Sequence, residues 1–226
     1  MNRVVGIITA RGNSKGIPRK NLRRLNGKPL IEHTFEAAKA SRLLDETILS
    51  TDNEEIANFA RGCGISVPFI RPKELASDEA SSIEVVVHAL QYLRGYEHFV
   101  LLQPTSPLRS SVHIDEALEI YLSSDMKSLV SVSKVAEHPN WMYKKNEDGS
   151  LSPFMEEPLI SRRQDLPDLL IPNGAIYVRQ INDFLQSRKM IGPDTFGFTM
   201  KEEDSIDIDS EVDLAIAEVI LNSRNP

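Results

Sequence analysis

At 226 residues the chain is long enough for one ample hydrophobic core and too short for two full-sized domains. Apolar residues at 41% and charged residues at 26% lie near the globular average, which excludes a disordered, collagen-like or coiled-coil protein. The net charge of −7 argues against a general nucleic-acid or anionic-membrane surface, and the lone cysteine, Cys63, excludes an internal disulfide and a thiolate zinc centre.

Val4–Thr9 is a continuous apolar run opening into a glycine-containing loop, the pattern of a strand buried on both faces. Similar runs predict strands at Thr47–Thr51, Val67–Arg71, Phe99–Gln103, Leu129–Val135, Ala175–Val178 and Thr195–Met200. Helical spacing falls between several of them. Leu30, Ile31, Thr34, Phe35 and Ala38 form one stripe; Ile56, Phe59 and Ala60 a second, stopped by Gly62 and Gly64; Ile83, Val86, Val87, Leu90 and Leu93 a third; Ile114, Ala117, Leu118 and Tyr121 a fourth. A fifth helix after Ser210 is expected to face the core with Val212, Ala215, Ile216, Val219 and Ile220. Strand and helix alternate through the first 125 residues, so a three-layer α/β domain with a largely parallel sheet is predicted. Residues 136–172 break the rhythm and read as an inserted functional or subunit-bridging arm within one domain spanning 1–226. No run of about 18 uncharged apolar residues occurs, and Arg11 interrupts the first apolar run before a signal peptide is complete, so no membrane is expected as a partner and the expected compartment is the cytoplasm.

Charge is unevenly spread. Residues 1–31 carry eight basic side chains and no acidic one, whereas Lys201–Glu218 holds eight acids against Lys201 alone. Together these ends suggest a metal-bridged polyphosphate; either run taken alone is equally a solvated surface. In ARGNSKGIPRKN, Ala10–Asn21, Gly12 and Gly16 allow backbone amides to approach phosphate oxygens, and Arg11, Lys15, Arg19 and Lys20 supply charge. Walker A spacing and the dinucleotide fingerprint are both absent, and an ordinary basic turn is the plain alternative. In LQPTSPLR, Leu102–Arg109, Gln103 can offer donor and acceptor to a flat heterocycle, or the segment is a rigid turn with Thr105 and Ser106 capping the next helix. IDID, Ile206–Asp209, puts Asp207 and Asp209 on one side of an extended segment, where they can share Mg²⁺, or Mn²⁺ in its place; Asp209 with Ser210 can also cap the following helix. Arg162 and Arg163 can fork onto a carboxylate or phosphate, although paired loop arginines are commonly just solvated. His33, His88, His98, His113 and His138 show no ligand spacing and, with Cys63, are read as structural.

Seven strings, ARGNSKGIPRKNL, STDNEEIA, RPKELASDEASS, LQPTSPLR, RRQDLP, PNGAIYV and SIDIDSEVDL, stand in this order over about residues 3–218. So arranged, the chain resembles the CMP-sialic acid synthetases (N-acylneuraminate cytidylyltransferases) and their relatives for other nine-carbon sugar acids. The resemblance implies a Rossmann-like nucleotide-diphospho-sugar transferase fold with a mixed, mostly parallel sheet. It also implies a homodimer in which the protruding arm reaches the neighbour's active site, and a reaction of CTP with a 2-keto sugar acid giving the CMP-sugar and pyrophosphate. Arg11, Gly12, Ser14, Lys20 and Asn21 match the triphosphate motif, and Ser81 falls in the matching nucleotide segment. Gln103, Pro104, Thr105 and Ser106 match the sugar and nucleotide pocket, Arg163 and Asn173 match sugar-site positions, and Asp207 and Asp209 match the magnesium carboxylates. Arg11, Lys20 and Asp209 are the expected catalytic groups. Ile171 stands where some sialic-acid enzymes carry a basic residue, which leaves sialic, legionaminic and pseudaminic acid all open. A glycosyltransferase with an Asp-x-Asp metal motif and a non-catalytic nucleotide-binding homologue are the competing readings.

Overall fold

Alternation within the first apolar run sorts the core into two layers. In this computed structural model, which describes residues 3–14, 16–77, 79–155, 160 and 162–224, the run is strand β1 (Val4–Thr9). Val4 and Ile8 point into one apolar cluster, Val5 and Ile7 into another. A two-residue ribbon follows, β2 (Arg24–Leu25) against β3 (Lys28–Pro29), and then α1 (Leu30–Ala40), β4 (Glu46–Ser50), α2 (Glu54–Gly62), α3 (Ser82–Leu90), β5 (His98–Leu102), α4 (Ser111–Leu122) and β6 (Ser128–Lys134). Beyond them lie β7 (Tyr143–Lys145), β8 (Leu151–Pro153), β9 (Leu170–Gln180), α5 (Ile181–Ser187), β10 (Phe196–Thr199) and α6 (Glu211–Arg224).

The described residues form a six-stranded sheet in the order β10-β6-β9-β5-β1-β4. β1 pairs in parallel with β4 and β5, and β10 with β6, while β9 runs antiparallel between β5 and β6. α1, α2 and α4 cover one face through Ile31, Phe35, Ile56 and Ile114; α3 and α5 cover the other through Val86, Leu90 and Phe184. This is the expected three-layer α/β architecture with a mostly parallel sheet. Caps fix the helix starts: Asn53 Oδ1 accepts from Ile56 N at 3.0 Å at the head of α2, and Ser110 accepts from His113 N at 3.4 Å ahead of α4. No helix among the described residues is long and apolar enough to cross a membrane.

Three expectations need correction. Val67–Arg71 forms no strand: Ser66 makes a single bridge to Ile48, and the segment then follows the outer edge of β4 irregularly, because Pro68 and Pro72 have no N–H to give a ladder. α6 buries Leu214 and Ala217, whereas Val212, Ile216 and Val219 are exposed, so its predicted inward face was turned too far around the helix. Helical spacing alone did not set that phase; α6 packs on the small cluster around Ile17 and Leu25 instead of the main core. The inserted region contains the β7–β8 hairpin but returns to the sheet at Leu170, opposite Lys134, so Leu170, Ile171 and Pro172 belong to β9. Helix α5 carries too little apolar periodicity to have been predicted.

Asp115 provides a test of the α1–α4 packing. Burial pushes its pKa up, but hydrogen bonds from Ser41 Oγ at 2.6 Å and from Arg42 N and Nε at 3.1 and 3.3 Å outweigh it and leave the carboxyl below its ordinary value. A depressed folded pKa stabilises above the unfolded value of about 4 and ceases to do so as pH falls through the folded one. Asp115→Ala should therefore cost about 1–3 kcal/mol in urea unfolding at pH 7. The gap from the wild type should narrow at pH 3, and an equal gap at both pH values would contradict the ionic origin.

Candidate active site

Open α/β sheets place ligands beyond the carboxyl ends of their parallel strands, and here the ends of β1, β4 and β5 meet the two segments that flank α6 and begin β9. A cleft of about 390 Å³ lies there, lined among others by Arg11, Ser14, Lys20, Asn21, Gln103, Thr105, Asp207 and Asp209. Residues 11–21 and 207–209, at opposite ends of the chain, thus share one wall.

The loop after β1 is held from behind. Ala10 N donates to Ser50 O at 3.0 Å, Gly12 N to Asp52 Oδ1 at 2.9 Å, and the buried Asn21 sends Nδ2 to Arg11 O at 2.9 Å. Gly16 is required by close approach: a Cβ there would lie 2.4 Å from the backbone oxygen of Asp209. Ile17 turns inward against Ile208, Leu25, Leu30 and Leu214. Lys20 then reaches across, donating from Nζ to Ile208 O at 2.7 Å and pairing with Asp209 Oδ1 at 3.0 Å. Lys15 lies outside the described residues.

The acidic segment 205–209 belongs to no helix or strand. Ile208 is fully buried, so Asp207 and Asp209 flank it toward the cleft. Ile208 N donates to Thr105 O at 2.8 Å, and the Thr105 hydroxyl donates to the Asp207 carboxylate. Loss of water around Asp207 raises its pKa, and the nearby negative charge of Asp209 adds to the rise; Thr105 and Lys20 oppose it. Among the described residues no group of three or more His, Cys, Asp or Glu side chains is placed to hold a metal. Two crowded carboxylates nonetheless suit a hard dication that completes its shell with water and phosphate oxygens.

The loop after β5 is fixed by Arg109, a fully buried guanidinium. Its Nε donates to Ala175 O at 3.1 Å, and its Nη2 to Thr34 Oγ1 at 2.8 Å and to Gln103 O at 3.3 Å. Burial pulls its pKa down to about 9. Opposite Gln103 stands Gly174, at φ +80°, where a Cβ would come within 2.8 Å of Gln103 Oε1 and 3.9 Å of Asp207 Oδ1. Glycine is needed there for both its backbone angle and its bare Cα.

Several predicted site residues occupy other places. The hydroxyl of Ser81 caps α3 by accepting from Glu84 N at 3.2 Å, while its neighbours Ala80 and Ser82 line the cleft. Ser106 is buried beneath the loop. Asn173 is also buried, its amide engaged with Ser131, Ala175 N and Ser205. The backbone of Arg163 opens a short 3-10 turn, and its side chain lies outside what the structure describes. The sequence reading missed Asp52 and Arg71. Arg71 is 4% exposed, lines the cleft, and lies with Nη2 3.6 Å from Asp52 Oδ1; burial lowers its pKa. Both sit inside the quoted strings STDNEEIA and RPKELASDEASS, where spacing carries no sign of a site. A second depression of about 830 Å³, behind the loop between Arg19, Phe59 and Ala215, carries the ion pairs Arg19–Glu55 and Arg23–Glu211.

The fold is that of solved nucleotide-dependent synthetases. A CMP:2-keto-3-deoxy-manno-octonic acid synthetase complexed with CTP superposes at TM-score 0.74 with 16% identity, covering 98% of this chain and 99% of that one. A 4-diphosphocytidyl-2C-methyl-D-erythritol synthase from Anaerococcus prevotii does so at 0.65 with 13% identity, covering 97% and 98%. Residues 5–194 match the family model for cytidylyltransferases, and the chain belongs to that family. It is 39% identical over 209 residues to an N-acylneuraminate cytidylyltransferase of Streptococcus agalactiae, covering 92% of this chain and 50% of the relative. The CMP-N,N′-diacetyllegionaminic acid synthase of Legionella pneumophila is 35% identical, with 97% and 96% covered. The pseudaminic acid cytidylyltransferase of Campylobacter jejuni is 34% identical, with 95% and 94% covered. The chain thus spans about half the length of the N-acylneuraminate enzymes it matches and nearly all of the other two.

Gly16→Ala tests the contact between the two chain ends. The added methyl must push the loop off Asp209, so CTP affinity by calorimetry should fall about tenfold or more while the far-UV spectrum stays unchanged. Affinity kept within about twofold would show that the two segments can part without consequence.

Proposed function

We propose that the chain is a CMP-nonulosonate cytidylyltransferase: it transfers the cytidylyl group of CTP to a nine-carbon 2-keto sugar acid and releases pyrophosphate. The observation that carries this reading is the convergence of Lys20, Asp207 and Asp209 in one cleft beyond the strand ends. Relatives named for sialic, legionaminic and pseudaminic acid support the substrate class.

In this reading the anomeric hydroxyl attacks the α-phosphorus in line. One O–P bond forms, the bond to the β-phosphate oxygen breaks, and pyrophosphate leaves. Lys20 and Arg11 offset charge on the phosphate oxygens, and the close approach of Gly16 to Asp209 keeps the basic loop in register with the acidic segment. Asp207 and Asp209 would hold Mg²⁺, or Mn²⁺ in its place, whose charge adds to that of Lys20 when bound. Asp209, the more exposed of the two beside Lys20, receives the hydroxyl proton. Gln103 and Thr105 line the wall toward the acid, and the same reading assigns Arg163 of the inserted arm to the acid as well. Met142, Tyr143, Leu151 and Phe154 on and beside the β7–β8 hairpin are exposed apolar groups, which supports a homodimer joined through the arm.

The test is pyrophosphate release from CTP against a panel of nine-carbon and eight-carbon 2-keto acids, which also separates this activity from that of a glycosyltransferase. At least one nine-carbon acid should be turned over. Asp209→Asn and Lys20→Ala should each lower kcat by about 10²-fold or more with melting temperature little changed. Near-wild-type turnover in Asp209→Asn would reject its role.

A further inference from the structure

We infer that Asn173 and Ser205 form a clamp that positions the aspartate pair, so that Asn173 serves the site from behind and does not contact the sugar. The inference rests on the reading of Asp207 and Asp209 given above.

It starts from a break in the sheet. β6 and β9 pair at Val130 with Tyr177 and again at Val132 with Pro172, so β9 accommodates Asn173–Ile176 while β6 has only Ser131 between the two pairings. A bulge of this size next to a ligand site re-aims the chain. Ser131 Oγ fills the gap: it accepts from Ile176 N at 2.8 Å and donates to Asn173 Oδ1 at 2.5 Å. Asn173 Oδ1 also accepts from Ala175 N at 3.2 Å. With its oxygen saturated in this way, the amide has one fixed orientation, and Nδ2 points out of the sheet to Ser205 Oγ at 2.9 Å. Ser205 Oγ in turn donates to Lys201 O at 2.7 Å.

This bond matters because residues 205–209 have no ladder of their own. Downstream, Thr105 and Lys20 hold Asp207, Ile208 and Asp209. Upstream, Asn173 holds Ser205, two residues before the first aspartate. The same bulge carries Gly174, whose bare Cα faces Gln103 and Asp207, so one distortion of β9 sets the acid-side wall and the start of the acidic segment together. An outer partner of this kind fixes where a metal-ligating carboxylate can reach.

Ser205→Ala, Ser205→Thr, Asn173→Asp and the double variant Asn173→Asp/Ser205→Ala test the clamp, by Mn²⁺ titration followed by electron paramagnetic resonance in the presence of CTP and by pyrophosphate release. Ser205→Ala and Asn173→Asp should each weaken Mn²⁺ binding about tenfold and lower kcat comparably, with KM for the acid changed less than about twofold. The double variant should be no worse than the poorer single one, and Ser205→Thr should recover to within about twofold of the wild type. Unchanged Mn²⁺ affinity in a folded Ser205→Ala protein, or additive losses in the double variant, would overturn the inference. Should the wild type release no pyrophosphate with any acid, the functional reading fails by itself, and the Mn²⁺ titration still decides the clamp. Should Ser205→Ala fail to fold, Ser205→Thr decides: a tenfold loss despite its hydroxyl would overturn the clamp, and recovery would support it.

Discussion

Everything at the strand ends depends on burying Ile208. Its side chain packs with Ile17, Leu25, Leu30, Leu108 and Leu214 in a small cluster separate from the two faces of the sheet. Removing a side chain of this size from water contributes roughly 1.5–3 kcal/mol. The Lys20–Asp209 ion pair alone could not fix the arrangement, because Asp209 is 78% exposed and such pairs are worth about 0–1 kcal/mol. The apolar contact brings the two chain ends together, and Lys20, whose ammonium also donates to the Ile208 carbonyl at 2.7 Å, gives the contact its direction. With Ile208 turned inward on an extended segment, its two neighbours must face the other way. The carboxylates are thus displayed as a by-product of a hydrophobic anchor 188 residues from the lysine that meets them.

The opposite wall is held by buried polar groups that cost more to place. Arg109 sits in the core with carbonyls and one hydroxyl as its acceptors, and among the described residues no carboxylate pairs with it. A buried guanidinium with incomplete partners is unfavourable for stability. Its return is geometric: one planar group spans α1, the loop after β5 and the bulged part of β9, a reach that a lysine ammonium could not match with the same fixed directions. Gln103 and Gly174 are consequently held against each other by backbone bonds, independent of any surface contact.

Much of the scaffold was legible because it depends on periodicity. Val4–Thr9, the α1 to α4 stripes and the parallel pairings follow from apolar spacing, and the IDID alternation correctly isolates Ile208 from its aspartates. What spacing does not carry is phase against an unseen partner. α6 has apolar residues around much of its surface, and only the position of the Ile17 cluster decides that Leu214 and Ala217 turn inward. The same limit hid Asp52 and Arg71, polar residues at the ends of otherwise ordinary segments, which become site residues once Gly12 N lands on Asp52 Oδ1. Nor does spacing foretell that Asn173 is buried, because the bulge in β9 interrupts the regular in-and-out order of a strand.

On the proposed reading, the choice of sugar acid is a local property of the cleft and not one of overall identity. The chain is 39%, 35% and 34% identical to relatives named for three different acids, a spread too narrow to rank them. On the proposed reading, the nucleotide side of the cleft is built from β1, β4 and β5 and is anchored by backbone bonds that tolerate little change. The acid side is bounded by Gln103, Thr105 and the inserted region between β6 and β9. Choice among acids that differ at their acyl and glycerol parts must then come from a few polar side chains there, because an apolar wall discriminates added polar groups only weakly, whereas a buried donor or acceptor left unpaired rejects them strongly.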